Sequence, residues 1–141
     1  MQQAVRRTRE MPKPPPGVRV NLEDLIYSLK ALMWRQMGVE RERVGLEDAL
    51  SKIAFWSRAV EDLGPSEPRA WELLNMLTVA RLMTIGALAR EESRGCHWRS
   101  DFPATREDRR AHTLLRAHAE GERLAAIELT LAPVHERALV P

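Results

Sequence analysis

Charged and hydrogen-bonding side chains are concentrated in one stretch of this chain, from Arg90 to Pro103, which reads REESRGCHWRSDFP. Arginine offers rigid, forked N–H donors that suit carboxylates and backbone carbonyls. A glycine in the same stretch tolerates the positive φ that a tight turn requires. The pattern therefore predicts a turn held by many hydrogen bonds, with the candidate site residues Glu92, Ser93, Arg94, Gly95, His97, Arg99 and Asp101.

Reactive centres of the common kinds are not predicted. The seven glycines are too widely spaced for a GxGxxG turn or a P-loop, so no nucleotide site of those types is expected. One cysteine and four histidines form no HExxH or paired-cysteine motif, so no metal site is expected. Glu91 and Glu92 would project about 100° apart on a helix, which favours salt bridges to arginines over a carboxylate pair. We predict no catalytic, cofactor-binding or metal-ligating residue in this chain.

The polar stretch follows a long apolar segment, from Trp71 to Ala89. Apolar residues cover most of its helical circumference, which is typical of a central, buried helix. Ser66 or Glu67 is expected to start this helix, because Pro68 is tolerated in a first turn. Polar residues interrupt the segment at three positions, so we expect no run approaching the roughly 20 apolar residues that span a bilayer, and no membrane partner.

Two amphipathic helices are predicted before it. Asn21 is a good N-cap, and apolar residues at helical spacing continue to Met37. A second stripe predicts a helix from about Leu46 to Asp62, which Gly64 and Pro65 end. Short turns between three helices predict a mainly α fold, an antiparallel three-helix bundle of the spectrin-repeat kind.

The ends of the chain differ from this helical part. Residues 1–20 combine arginines with closely spaced prolines and are expected to form an arm or linker. Residues 104–141 are expected to form a β-hairpin or an extended tail, with a turn near Gly121. A helix over Leu114–Leu124 is the alternative, since alanine is frequent there. The predicted division is therefore 1–20, 21–103 and 104–141.

The charge balance and the single cysteine limit the setting and the partners. With 22 basic and 20 acidic residues the net charge is +2, so no overall field favours a polyanion and nucleic-acid binding is not expected. Cys96 cannot form an internal disulfide, which favours a reducing, cytoplasmic location. We expect this thiol to be buried or half-buried, as free cysteines commonly are.

Three ordered blocks carry a resemblance to a known family. Residues 92–103 resemble the ESRGxHxRxDxP motif in the C-terminal helical domain of the succinate dehydrogenase, fumarate reductase and L-aspartate oxidase flavoproteins. Upstream, Leu32-Met33-Trp34 with Gly38-Val39 and Arg41 is similar to the segment that opens this domain. Downstream, residues 106–108 with His112-Thr113 are similar to a third element, although its usual aromatic is absent. The Leu-Met-Trp pairing and the Arg-Ser-Asp-Phe-Pro ending look more like L-aspartate oxidase than succinate dehydrogenase.

The resemblance implies a role inside a larger enzyme. In such flavoproteins FAD and the substrate are held by an FAD-binding domain and a capping domain, which are then the implied partners of this chain. Residues 104–141 are expected to pack on that FAD domain. The implied function is that of the C-terminal helical domain of an FAD-dependent L-aspartate oxidase, which converts L-aspartate to iminoaspartate for quinolinate and NAD biosynthesis. The alternatives are the same domain of a succinate dehydrogenase or fumarate reductase flavoprotein, or a stand-alone helical interaction module.

Two interpretations of the polar stretch remain open at this point. In the first, its side chains dock the helical domain against the FAD domain and support the cofactor site from outside. In the second, they satisfy one another locally and close the end of the bundle. A domain that normally has a neighbour should also expose a docking face, so self-association of the separated chain is expected.

Overall fold

The computed structural model describes residues 21–62, 67–120 and 123–134 and has three helices with short strands. Its elements are α1 (Leu22–Gln36), β1 (Glu40–Arg41), α2 (Arg43–Asp62), α3 (Pro68–Ala89), β2 (Trp98–Arg99), a 3-10 turn (Glu107–Arg109), β3 (Ala111–Glu120) and β4 (Arg123–Pro133). The prediction of a mainly α fold is confirmed. The antiparallel, spectrin-repeat-like arrangement and the three-part division stay predictions. The predicted arm, the Gly64–Pro65 stop and the tail from His135 lie outside the described residues.

The first helix begins where its cap predicts. Asn21 is extended, and its side-chain oxygen accepts hydrogen bonds from the backbone N–H groups of Glu23 (3.1 Å) and Asp24 (3.4 Å). These bonds satisfy two of the free N–H groups at the start of the helix. The helix ends at Gln36, with Met37 as its C-cap.

The apolar stripes of the three helices meet in one core. Leu73 and Leu77 of α3 are at most 1% exposed, and Ile53 of α2 is fully buried. The packed cluster of buried side chains contains Ile26, Leu29, Leu32, Ala49, Ile53, Val60, Ala70, Leu73, Leu77 and Ala80. Burial of a valine, leucine or isoleucine side chain stabilises a fold by about 1.5–3 kcal/mol, so this cluster holds the helices together.

The third helix differs from its prediction in two ways. It is not buried all round, because Trp71, Val79 and Met83 are about half exposed, at 47%, 55% and 53%. It is also long and apolar enough, by length and composition, to cross a membrane, so the expectation that no segment approaches that length is wrong. The core helix of a soluble protein can have the same length and composition, which makes this weak support for a membrane.

The segment after residue 110 forms an antiparallel ribbon of β3 and β4. Leu115 pairs with Leu129, and Ala117 pairs with Ile127. The alternative of a helix over Leu114–Leu124 is therefore wrong. The ribbon lies against α3, where Leu115 would be 3.7 Å from a Cβ atom added to Gly86. A two-stranded ribbon is marginal alone, and this contact gives it support.

A second, very short ribbon connects distant parts of the chain. In it, β1 and β2 are parallel, with Glu40 paired to Trp98 and Arg41 paired to Arg99. The N–H of Ser100 also donates to the carbonyl of Arg41 at 2.9 Å. The connection between α1 and α2 is thus fixed beside the polar stretch that follows α3.

The burial of one side of α3 and the exposure of the other can be tested by a matched pair of alanine substitutions. We expect Leu77→Ala to lower the free energy of unfolding by about 2–5 kcal/mol, because it leaves a cavity in the core. Val79→Ala on the exposed side of the same helix should change it by less than about 0.5 kcal/mol. Urea denaturation of both variants measures the difference. Equal losses would contradict the assignment.

Candidate functional site

The polar stretch forms a tight turn directly after α3. The backbone N–H of Arg94 donates to the carbonyl of His97 at 2.9 Å, and the N–H of His97 donates back to the carbonyl of Arg94 at 3.1 Å. Gly95 lies between them with φ +59°, a conformation that costs residues with a Cβ atom free energy. The predicted positive φ at this glycine is confirmed.

Arg99 is the centre of the site, and it is fully buried. Its Nη1 donates to the carbonyls of Ala87 (2.9 Å), Leu88 (3.2 Å) and Arg90 (3.3 Å). These carbonyls belong to the last turn of α3 and the residue after it. A cation suits this position, because the C-terminal end of a helix is the negative end of its dipole. Arg99 therefore caps α3.

Asp101 completes the charge pair and joins it to the second helix. Its two carboxylate oxygens accept from Nε and Nη2 of Arg99, both at 2.7 Å. One of them also accepts from the backbone N–H of Arg43, the first residue of α2, at 3.2 Å. Hydrogen bonds from Arg99, opposed by burial and aided by the N–H of Arg43, lower the pKa of Asp101. The pair links the end of α3 to the start of α2.

Glu92 is the second buried charge, with no exposed side-chain surface. Its carboxylate accepts from the guanidinium groups of Arg90 and Arg94, and from the backbone N–H of Arg106 at 3.0 Å. Burial alone would raise the pKa of this carboxyl, but hydrogen bonds from Arg94, Arg106 and Arg90 outweigh it and lower the pKa. Glu92 thereby holds the segment after the turn against the end of α3.

Ser93 forms hydrogen bonds with the backbone of the segment that follows the turn, at Arg99 and Phe102. Its hydroxyl accepts from the N–H of Arg99 at 2.9 Å and donates to the carbonyl of Phe102 at 2.9 Å. The hydroxyl of Thr105 donates to the carbonyl of Ser93 at 2.6 Å. The phenyl ring of Phe102 lies under the guanidinium of Arg99, with 5.0 Å from Cζ to the ring centroid. A small hydroxyl side chain is suited to bridging two backbone segments at this separation.

His97 is half-buried and its tautomer follows from its partners. Nδ1 lies 2.9 Å from Nη1 of Arg41 and must accept, since arginine only donates. Nε2 then carries the proton and donates to the carbonyl of Arg90 at 3.2 Å. Burial lowers the pKa of His97, and the charges of Arg41, Arg99 and Arg90 lower it further, against the hydrogen bond to Arg90. The ring is therefore held neutral.

All seven predicted site residues are brought together within this one turn and its return. Glu92, Ser93 and Arg99 are buried, whereas Arg94 and His97 are partly exposed. The prediction for Cys96 is wrong: its thiol is exposed at the tip of the turn, where the chain leaves the core.

Several participants were not predicted. Arg43 donates to Glu91 at 2.7 Å across 48 residues, and Arg90 donates to the carbonyl of Ala111 at 2.6 Å. Arg90 and Glu91 lie in the predicted polar stretch, but no local pattern could identify their partners, because those come from other elements. Arg41 was identified only by its place in the family-like segment, and its contact with His97 gives that position a physical role.

Comparison of the sequence with known protein families identifies the family of this chain. The family model described as "Fumarate reductase flavoprotein C-term" matches residues 27–141. The chain belongs to the fumarate reductase flavoprotein C-terminal family. This confirms the resemblance drawn from the sequence.

Different relatives in this flavoprotein family are named as different enzymes. The chain is 45% identical to the L-aspartate oxidase of Rhodospirillum rubrum over 96 residues, which are 67% of this chain and 30% of that protein. It is 40% identical, over 100 residues, to a protein of Methanothermobacter marburgensis that is named as part of a CoM/CoB fumarate reductase. That match covers 65% of this chain and 18% of the relative. The relatives thus extend well beyond the part that this chain covers.

A solved structure has the same fold. The structure described as "Mycobacterium smegmatis Sdh1 in complex with UQ1" superposes with a TM-score of 0.69 at 24% identity, covering 82% of this chain and 21% of that chain. At this identity the match concerns the fold.

The described residues do not form a site that would fit a flavin. Among the donors that could bind a pyrophosphate, Nε and Nη2 of Arg94 and all three nitrogens of the Arg99 guanidinium donate to carboxylates and carbonyls of this chain. Among the glycines of the described ranges, Gly95 has a positive φ. Its turn is closed by the backbone hydrogen bonds between Arg94 and His97. Within residues 21–62, 67–120 and 123–134, no group of three potential metal ligands occurs either.

The contribution of the Arg99–Asp101 pair to the free energy of unfolding can be measured by replacing the arginine. We expect Arg99→Ala to lower the free energy of unfolding by about 3–5 kcal/mol, because Asp101 and the end of α3 lose their buried partner. Lys52→Ala removes an exposed ion pair with Asp48 and should cost at most about 1 kcal/mol. Chemical denaturation compares the two. A loss of similar size in both variants would show that burial does not strengthen the pair.

The neutral state of His97 predicts a pH dependence. Its pKa in the folded state is below the unfolded value of about 6.5, so the unfolded chain takes up the proton first as the pH falls. This contribution to stability is fully present above that pH and is lost towards the folded-state pKa. In His97→Gln, unfolding free energy should fall less between about pH 7 and pH 5 than in the wild-type chain. The exposed His112→Gln is the control, and equal slopes in wild type and His97→Gln would exclude the effect.

Proposed function

We propose that this chain is the C-terminal helical domain of an FAD-dependent L-aspartate oxidase, with a structural rather than a catalytic role. The full enzyme would oxidise L-aspartate to iminoaspartate, which feeds quinolinate and NAD biosynthesis. FAD would be bound by the parts of the enzyme outside this chain. The observation that carries the choice of enzyme is the 45% identity to the Rhodospirillum rubrum protein of that name.

The geometry of the site supports a structural role. Arg99, Glu92 and Ser93 are buried and bind other groups of the same domain. A group that binds substrate must present free donors or acceptors to a cavity, and these three side chains use theirs internally. Their effect on the enzyme would be indirect, through the position of the helix ends.

The predicted docking role of Glu92–Asp101 stays part of this proposal. The motif would give the helical domain a rigid end, and its partly exposed members, Arg94 and His97, lie at the surface of that end. The neighbours would be the FAD-binding and capping domains of the same enzyme.

The single cysteine of the chain supports a cytoplasmic location.

A second candidate function has its own observation. The relative from Methanothermobacter marburgensis is named for a fumarate reductase, and the solved structure with the same fold is a mycobacterial Sdh1. The chain could then be the same domain of a flavoprotein that acts on a dicarboxylate without an amino group. The substrate contacts that separate these candidates lie outside the described residues.

The two candidates make different predictions for the full flavoprotein. The reading frame upstream of Met1 should be read for the flavin-bearing part, and the whole enzyme expressed. We expect L-aspartate, added without oxygen, to bleach the flavin absorbance because hydride passes to FAD, whereas succinate does not. The 141-residue chain alone should be colourless. Bleaching by succinate alone would favour the second candidate, and a yellow 141-residue chain would contradict the assignment of FAD to other domains.

A further inference from the structure

An exposed apolar surface runs along the outer sides of α1 and α3 and reaches the polar turn at one end. A groove of about 780 Å³ runs between these helices and is lined by apolar side chains such as Trp71, Met76 and Val79. A second cavity of about 880 Å³ surrounds the end of α1, beside Trp34, which is 84% exposed. A third, of about 520 Å³, lies between the ends of α1 and α3, the start of β3 and the polar turn, where Arg90, Cys96 and His97 line it.

These cavities form one continuous surface, because each shares a methionine with the next. Met33 lines the first and second, Met37 lines the second and third, and Met83 lines the first and third. We call this surface the methionine face and define it by Met33, Trp34, Met37, Trp71, Val79 and Met83. Exposed apolar surfaces of this extent mark interaction sites, and methionine adapts well to a partner surface.

The surroundings of the methionine face have the pattern of an interface. Lys30 and Glu72 line the same groove and give the apolar centre a charged rim, as protein interfaces commonly have. The exposed surface of α2 carries more charge: Lys52 pairs there with Asp48, and Arg43 with Glu47, beside the exposed apolar residues Val44 and Phe55. The two sides of the domain are therefore suited to different environments.

We propose that the methionine face is the surface on which the flavin-bearing part of the same flavoprotein packs. This inference rests on the proposed function and moves the main contact from the polar turn to the apolar face. The charges of Arg99 and Glu92 have no exposed side-chain surface, so they cannot form the contact themselves. The apolar side chains named above can, because they have no partner large enough to bury them within the described part of the domain.

The occupant follows from the size of the relatives. The chain spans 18% and 30% of two of them, and its family is defined by its place at the C-terminal end of a flavoprotein. A neighbour in the same polypeptide has a high effective concentration at this face. A second copy of the domain would have to displace it.

Thiol labelling tests this directly. The chain, with Cys96→Ser to remove its exposed thiol, replaces the matching segment of the Rhodospirillum rubrum enzyme, and Val79→Cys or Met83→Cys is added. Phe55→Cys on α2, which is 38% exposed, is the matched control. Labelling rates at each site are measured by peptide mass spectrometry in the flavoprotein and in the free 141-residue chain.

We expect the thiols at positions 79 and 83 to react at least about tenfold more slowly in the flavoprotein, and the thiol at position 55 to react equally in both. Equal rates at position 79 would overturn the inference. Slow, concentration-dependent labelling at position 79 already in the free chain would overturn it in favour of a second copy. A chimera that does not retain FAD would contradict docking altogether. The proposed enzyme is tested separately, on the whole flavoprotein that contains this chain: flavin reduction there by succinate but not L-aspartate would contradict only that assignment.

Discussion

The structure depends on one ion pair placed between two helix ends, in which Arg99 is fully buried and Asp101 is partly exposed. Arg99 binds the carbonyls at the end of α3, and Asp101 binds the first N–H of α2. Each charge lies at the helix end whose dipole it complements, and each is the other's partner at 2.7 Å. A lone buried charge would cost several kcal/mol, so the pair can exist only when both helices are in place. The polar turn is thereby coupled to the packing of the helices.

This coupling changes the meaning of the polar stretch. Residues rich in donors and acceptors resemble a binding site when they are seen in a sequence. In the folded domain Glu92, Ser93 and Arg99 use those groups on one another and on backbone atoms of their own domain. Surface left for a neighbour is instead apolar, on α1 and α3, where Trp34 and Val79 are exposed.

Local patterns identified the helices because local interactions form them. The cap at Asn21, the apolar stripes and the glycine turn at Gly95 depend on neighbours a few residues away. Two expectations failed because they concern distant contacts. The outer side of α3 was expected to be buried, and Cys96 was expected to be shielded, yet burial depends on which elements pack against a residue. For the segment of β3 and β4 the sequence alone favours neither a helix nor a ribbon, because frequent alanine favours a helix and partly alternating apolar residues favour strands.

By itself the sequence determined the three helices, the turn after the third, and the family to which the chain belongs, because periodicity, capping residues and an ordered motif are properties of neighbouring residues. The tertiary structure alone decided that Arg43 and Arg41 join the site from 56 or more residues away, and that Glu92, Ser93 and Arg99 of the motif are buried. It also decided which side of α3 stays exposed. Those outcomes depend on how the helix ends are placed relative to one another. Burying a charge costs free energy unless it is paired, so Arg99 requires both the helix-end carbonyls and Asp101 as partners.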